Sequence, residues 1–228
     1  MSLNLVRQVD DRIFIRNILV SVSDKTGLDA FVPALVSLSA DIRIFSTGGT
    51  HAAIATILGS ALADRHLIAV STYTGQPEMQ GGLVKTLDFK IYLGLLSETY
   101  NPDHQADLVR TQAVAIDMVA VNLYPFRQTV AKAGVTPEEA RTNIDIGGPC
   151  MIRASAKNYL RVASVTDPAD YALIVAELAA HGGTLGLDTR FSLMGKAFHH
   201  TAAYDTAIAA YFASLTSTQA HDAYTFPS

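Results

Sequence analysis

An aspartate stands just before a glycine pair and a proline in Asp145-Ile146-Gly147-Gly148-Pro149, and a lysine follows at Lys157. The two glycines and the proline open a helix here, since Pro149 has no N–H to leave unpaired in a first turn. Such a helix start aims backbone donors at its surroundings. Asp145 beside it is a carboxylate that can move a proton next to N–H groups able to hold a developing oxyanion. Lys157 adds an ammonium that could tune that carboxylate. A helix cap and a solvated lysine account for the same pair equally well, so the rest of the chain has to decide. Two more residues offer related chemistry. Lys85 ends a glycine-bearing stretch, and Tyr124 follows an apolar run, where a phenol is either a proton donor or an amphipathic plug over the core.

The elements that must position these groups alternate. Asn17–Val22 is a short apolar run rich in branched residues, which predicts a strand buried on both faces. A polar turn at 23–27 leads into helical spacing over Leu28–Leu38. The unit then repeats, with a strand at 42–46, a Thr47-Gly48-Gly49-Thr50 loop and a helix at 52–58. Side by side in a parallel sheet, both loops reach the carboxyl edge of the strands, where open α/β sheets bind ligands. Ser21, Ser23, Lys25 and Thr26 on the first, with Thr47, Gly48, Gly49 and Thr50 on the second, suit a phosphate. Neither loop is a Walker A or G-x-G-x-x-G sequence, and each taken singly reads as a solvated turn. Their repetition after consecutive strands is what points to an anion.

Farther along, 71–86 reads as a long loop, and 91–96, 118–126 and 162–165 as strands. Asp167 and Pro168 start a helix that runs to Ala180, and an alanine-rich helix covers 188–215. The tail from Thr216 is expected to fray. His199 and His200 are adjacent and do not share a helix face, which favours packing or hydrogen bonding over metal ligation.

Composition bounds the reading. With 228 residues, 49% hydrophobic and 17% charged, the chain can bury one sizeable core and is expected to form one unit over 1–228. A net charge of −4 argues against a nucleic-acid partner, which needs a basic face. The single cysteine, Cys150, rules out an internal disulfide and a cysteine-based zinc site. No apolar run reaches the roughly 18 to 20 residues that span a bilayer, and no signal peptide opens the chain, so no membrane partner and a cytoplasmic location are expected.

Seven motifs in order carry a resemblance: Ser-Val-Ser-Asp-Lys-Thr-Gly at 21–27, Ser-Thr-Gly-Gly-Thr at 46–50, Pro-Glu-Met at 77–79, Val-Lys-Thr-Leu at 84–87, Asn-Leu-Tyr-Pro-Phe at 122–126, Ile-Asp-Ile-Gly-Gly-Pro at 144–149 and Ala-Lys-Asn at 156–158. Lys196-Ala197-Phe198, His200-Thr201-Ala202 and Tyr204-Asp205 fit as well. Together they resemble the inosine monophosphate (IMP) cyclohydrolase domain of the bifunctional purine-biosynthesis enzyme that also carries a formyltransferase. The resemblance implies a methylglyoxal-synthase-like three-layer α/β fold with a mainly parallel sheet and C-terminal helices, a homodimer, and no metal or organic cofactor. It implies a purine ribonucleotide substrate, a formamidoimidazole carboxamide ribonucleotide that closes to IMP with loss of water.

By motif position, the resemblance makes Lys85, Tyr124, Asp145 and Lys157 catalytic. It assigns substrate binding to the two phosphate loops and to Thr86, Asn122, Ile146, Gly147 and Gly148. The chain departs from the family at Leu83, where the family has arginine, and at Asp88-Phe89, where it has His-Pro. Arg127, Arg141 and Lys90 are the cations considered as replacements. The four catalytic-type residues favour an enzyme, and Leu83 and Asp88 favour a noncatalytic nucleotide-binding domain of the same fold. Methylglyoxal synthase is a third reading, disfavoured by the motifs around Lys85, Tyr124 and Lys157. With no room for a formyltransferase in 228 residues, either a separate protein supplies the formylated substrate or the chain is a piece of a longer protein.

Overall fold

The computed structural model describes residues 5–77 and 85–227. The chain order is β1 (Arg12–Phe14), β2 (Asn17–Val22), α1 (Leu28–Leu38), β3 (Arg43–Ser46), α2 (Gly48–His66), β4 (Leu67–Ala69), α3 (Val70–Thr74), α4 (Phe89–Leu96) and α5 (Pro102–Thr111). It continues with β5 (Met118–Asn122), α6 (Phe126–Val130), α7 (Pro137–Thr142), α8 (Gly147–Lys157), β6 (Ala163–Val165) and α9 (Tyr171–Ala180). β7 (Thr184–Gly186), α10 (Leu187–Ala213) and α11 (Ser217–Asp222) complete it.

Among the described residues, five parallel strands form the main sheet in the order β4-β3-β2-β5-β6. The period-two geometry of β2 explains the layers. Ile18, Val20 and Val22 face one core with α1, α2 and α9, whereas Leu19 faces a second core with Val119, Ile91, Met151, Ile152 and Ala197. A strand buried on both sides therefore needs an unbroken apolar run, which Asn17–Val22 supplies. The three-layer α/β fold expected from the resemblance is the fold observed. A second, two-stranded sheet pairs β1 antiparallel to β7. Arg190, fully buried, secures it by donating to the carbonyls of Asp10, Asp11 and Leu185, and to Tyr159 and Leu160 across the chain.

Four local expectations are corrected. Residues 91–96 are not a strand but lie in α4, capped by Asp88, whose side chain accepts from the Lys90 N–H at 2.8 Å. Ile91 and Leu95, one turn apart, are the buried face; a six-residue apolar run fits either period, and the cap decides. The loop expected over 71–86 begins as helix, since α3 runs to Thr74. The second helix starts four residues earlier than expected, at Gly48, and continues to His66 across a break at Gly59 (φ 69°, ψ 166°). The tail forms α11 through a reciprocal capping box between Thr216 and Gln219.

Gly94 shows how tightly α4 is seated. A Cβ there would collide with the Val114 carbonyl oxygen and approach Ile116 Cγ1 to 3.1 Å. Its own carbonyl accepts from the Ile116 N–H at 3.0 Å and from Arg161, so the backbone cannot retreat. Gly94→Ala should therefore lower stability by about 2 kcal/mol or more, although alanine has the better helix propensity by about 1 kcal/mol. Chemical denaturation of the two proteins measures the difference.

Candidate active site

The carboxyl ends of β2, β3 and β5 open onto one cavity of about 390 Å³. Its walls come from the loop after β2, the start of α2, residues 85–87, the loop after β5 and the turn into α8. The structure brings Lys85, Tyr124 and Asp145 to it, together with Ser21, Ser23, Lys25, Thr47, Gly48, Gly49, Thr50, Thr86, Asn122, Ile146, Gly147 and Gly148.

Two of these are occupied in holding the walls. The Thr50 hydroxyl donates to the Val22 carbonyl at 3.0 Å and accepts from the Val22 N–H at 3.1 Å, tying α2 to the end of β2. Asn122 accepts from the N–H groups of Ser23 and Asp24 at 2.7 and 2.9 Å and donates to the Asp24 carbonyl at 2.8 Å. These side chains shape the anion loop and are spent in doing so. Thr26 does not line the cavity: its hydroxyl donates to Asp24 at 2.6 Å, and that hydrogen bond holds the Asp24 carboxyl below its usual range. What remains toward the cavity is Ser21, Ser23, Lys25, Thr47 and the opening turn of α2, where unpaired N–H groups favour an anion. Gly48 adopts φ +48°, and a Cβ on it would stand 3.0 Å from Lys85 Nζ, so the ammonium lies directly over this turn.

On the opposite wall the two glycines of α8 earn their place by close approach. A Cβ on Gly148 would lie 2.5 Å from both Asp145 Oδ2 and Leu123 Cδ2, and one on Gly147 would lie 2.8 Å from Thr86 Oγ1. Asp145 Oδ1 accepts from the Gly148 N–H at 2.9 Å. Burial raises the Asp145 pKa above the ordinary carboxylate value, and the Gly148 hydrogen bond offsets part of that rise. A carboxylate whose pKa is raised by burial at a helix start is a proton acceptor of raised basicity.

Lys157 corrects the expectation that it tunes Asp145. It is exposed in the last turn of α8 and does not line the cavity; ten residues of helix place it about 15 Å along the axis from the Gly147 end. The three cations considered as replacements for a family arginine also do not line the cavity. Arg127 donates to the Ala203 carbonyl at 3.1 Å, Arg141 grips Glu138 at 2.6 and 2.7 Å, and Lys90 reaches the Tyr73 carbonyl at 3.4 Å. Leu83 lies outside the described residues, as do Glu78 and Met79 of the Pro-Glu-Met motif. Leu87, Asn143 and Met151 in the walls and Tyr204 behind Asp145 have no role assigned from the sequence; Leu87 and Tyr204 stand within the matching motifs, but no spacing singles out their side chains. Among the described residues no three His, Cys, Asp or Glu side chains are grouped to hold a metal ion, and no helix is long and apolar enough to cross a membrane.

Comparison with known proteins places these features in context. Residues 27–150 match the MGS-like domain, and residues 155–227 match the AICARFT/IMPCHase bienzyme family. The bifunctional purine biosynthesis protein PurH of Chlorobium phaeovibrioides is 48% identical over 205 residues, which is 90% of this chain and 38% of that protein. PurH of Neisseria meningitidis serogroup A is 48% identical over 201 residues, 88% of this chain and 36% of that protein. The chain thus spans little more than a third of these relatives. The crystal structure of ForH superposes with a TM-score of 0.74 at 28% identity, covering 87% of this chain and 97% of that one.

Because the folded Asp145 pKa lies above the unfolded value of about 3.9, its charge costs stability at any pH above both. The cost disappears as pH falls below the unfolded pKa, where both states are protonated. Asp145→Asn keeps an acceptor for Gly148 and removes the cost. It should melt at a higher temperature than the parent at pH 7, with the gap narrowing toward pH 4; thermal melts across that range measure it.

Proposed function

From the premise that the chain belongs to the MGS-like domain family, we propose that it is an IMP cyclohydrolase of purine biosynthesis. The observation that carries the reading is the meeting of Asp145, Lys85 and Tyr124 in one cavity, opposite two Ser/Thr/Gly loops suited to a phosphate. The 48% identity to PurH proteins over most of the chain supports it, as does the bienzyme match over 155–227.

In this reading the 5′-phosphate sits at the loop after β2 and the start of α2, held by Lys25 and backbone N–H groups. The carboxamide nitrogen is a poor nucleophile because its lone pair is delocalised, so its proton must leave as it attacks the formyl carbon. Asp145 takes that proton. The formyl oxygen becomes negative as the new C–N bond forms, and Lys85 and Tyr124 donate to it. Protonation gives a hydroxyl; the former formamido nitrogen then loses its proton, a C=N bond forms, the C–O bond breaks and water departs. The reaction is intramolecular, so holding amide and formyl in the reactive orientation supplies much of the rate. The scheme asks nothing of a metal or organic cofactor. We propose a homodimer, as the resemblance implies; Lys157, exposed at the far end of α8 and outside the cavity, has no step in this scheme within one chain.

We propose residues 1–228 as one cyclohydrolase-like unit working in the cytoplasm, fed with formylated substrate by a separate formyltransferase. The competing reading, a noncatalytic nucleotide-binding domain, draws on Asp88, which caps α4 where the family has histidine.

Ultraviolet-monitored conversion of the formamidoimidazole carboxamide ribonucleotide to IMP, measured above the uncatalysed rate, tests the proposal. Turnover should fall at least about 100-fold in Lys85→Ala with KM little changed. Lys25→Ala should instead raise KM about tenfold, equivalent to about 1.4 kcal/mol of binding. Tight binding of IMP without turnover in the parent protein would replace the enzyme reading by the binding-domain one.

A further inference from the structure

Tyr204 belongs to α10, 59 residues beyond Asp145 in sequence, yet its hydroxyl accepts the Asp145 N–H at 2.8 Å. The same hydroxyl donates to the Asn143 carbonyl at 3.3 Å. One oxygen thus bridges both arms of the turn that carries Asp145. The ring is 9% exposed and stands edge-on to Phe126, with centroids 6.2 Å apart, so the oxygen has a fixed origin. α10 is also anchored without it. Lys196 pairs with Asp170, and the Ala203 carbonyl accepts from Arg127 at 3.1 Å.

We propose that Tyr204 is a positioning residue for Asp145, holding the 143–145 turn so that the carboxylate stays against the Gly148 N–H and faces the cavity. The inference rests on the reading of Asp145 as the proton acceptor. Without the bridge, the Asp145 N–H turns to water, the turn loosens, and the carboxylate gains hydration and loses basicity. The titratable and charged groups around it are Lys85, Tyr124 and Lys25 from the loops lining the same cavity, and Tyr204 with Asp205 from α10.

Tyr204→Phe keeps the ring and removes the bridge. Tyr211→Phe, on the same helix and edge-on to the same Phe126 at 6.0 Å, is the control for packing. The assays are kcat and KM for ring closure as functions of pH, and the titration of the Asp145 carboxyl carbon by NMR. In Tyr204→Phe, kcat should fall about 10- to 100-fold with KM nearly unchanged. The acidic limb of kcat and the carboxyl titration should both move to lower pH, and in Tyr211→Phe neither should move. A purely structural role would reduce active protein without shifting either titration, and that result overturns the proposal. If the parent shows no turnover, the cyclohydrolase reading fails and the carboxyl titration alone decides the positioning. If Tyr204→Phe does not fold, hydrogen exchange on the parent decides: an Asp145 amide exchanging at the unstructured rate overturns the bridge, and a protected one supports it.

Discussion

The site depends on one close approach, that of the Asp145 carboxylate to the first turn of α8. A carboxylate brought this near a helix start gains a backbone donor at Gly148 and loses water, two effects of opposite sign on its basicity. Burial dominates, so the group is raised rather than depressed. Only glycine at 148 permits the approach, because a side chain would occupy the space of Asp145 Oδ2 and Leu123 at once. The glycine pair therefore serves contact distance rather than a left-handed backbone; neither Gly147 nor Gly148 has positive φ.

Around that approach the molecule divides its polar side chains between building and exposing. Thr50, Asn122 and Asp24 use their oxygens and nitrogens to hold the loop after β2. Lys25, Thr47 and the α2 turn are left toward the cavity. For Thr50, which is buried, and Asn122, which is partly so, the division follows from the need to pair buried polar groups with backbone that would otherwise go unsatisfied. A motif shared by position thus contains both ligand-facing groups and the scaffold that aims them.

α10 links the two sequence segments that match different families. It packs on α8 and β6, donates Ala197 to the second core, and delivers Tyr204 to the Asp145 turn. The segment matched to the bienzyme family therefore braces, from behind the cavity, a turn that belongs to the MGS-like segment. This gives a physical reason for the two segments to occur together in one folded unit.

Much of this architecture was legible in the sequence. The apolar run at Asn17–Val22 determined a strand buried on both faces, and the repeated strand, polar loop and helix determined which loops share the carboxyl edge. Twelve of the thirteen residues assigned to substrate binding, together with Lys85, Tyr124 and Asp145, line the cavity, most of them because they lie close to a strand or helix end; Lys85 and Thr86 instead lie between elements, ahead of α4. Local pattern could not resolve 91–96, where a cap outside the apolar run decided for helix. Nor could it say that Lys157, only twelve residues from Asp145, points elsewhere while Tyr204, 59 residues away, touches its backbone. Distance along a helix grows by about 1.5 Å per residue regardless of side-chain chemistry. Contact between helices is decided instead by how α10 seats on α8, a property of the packed core that no short stretch of sequence contains.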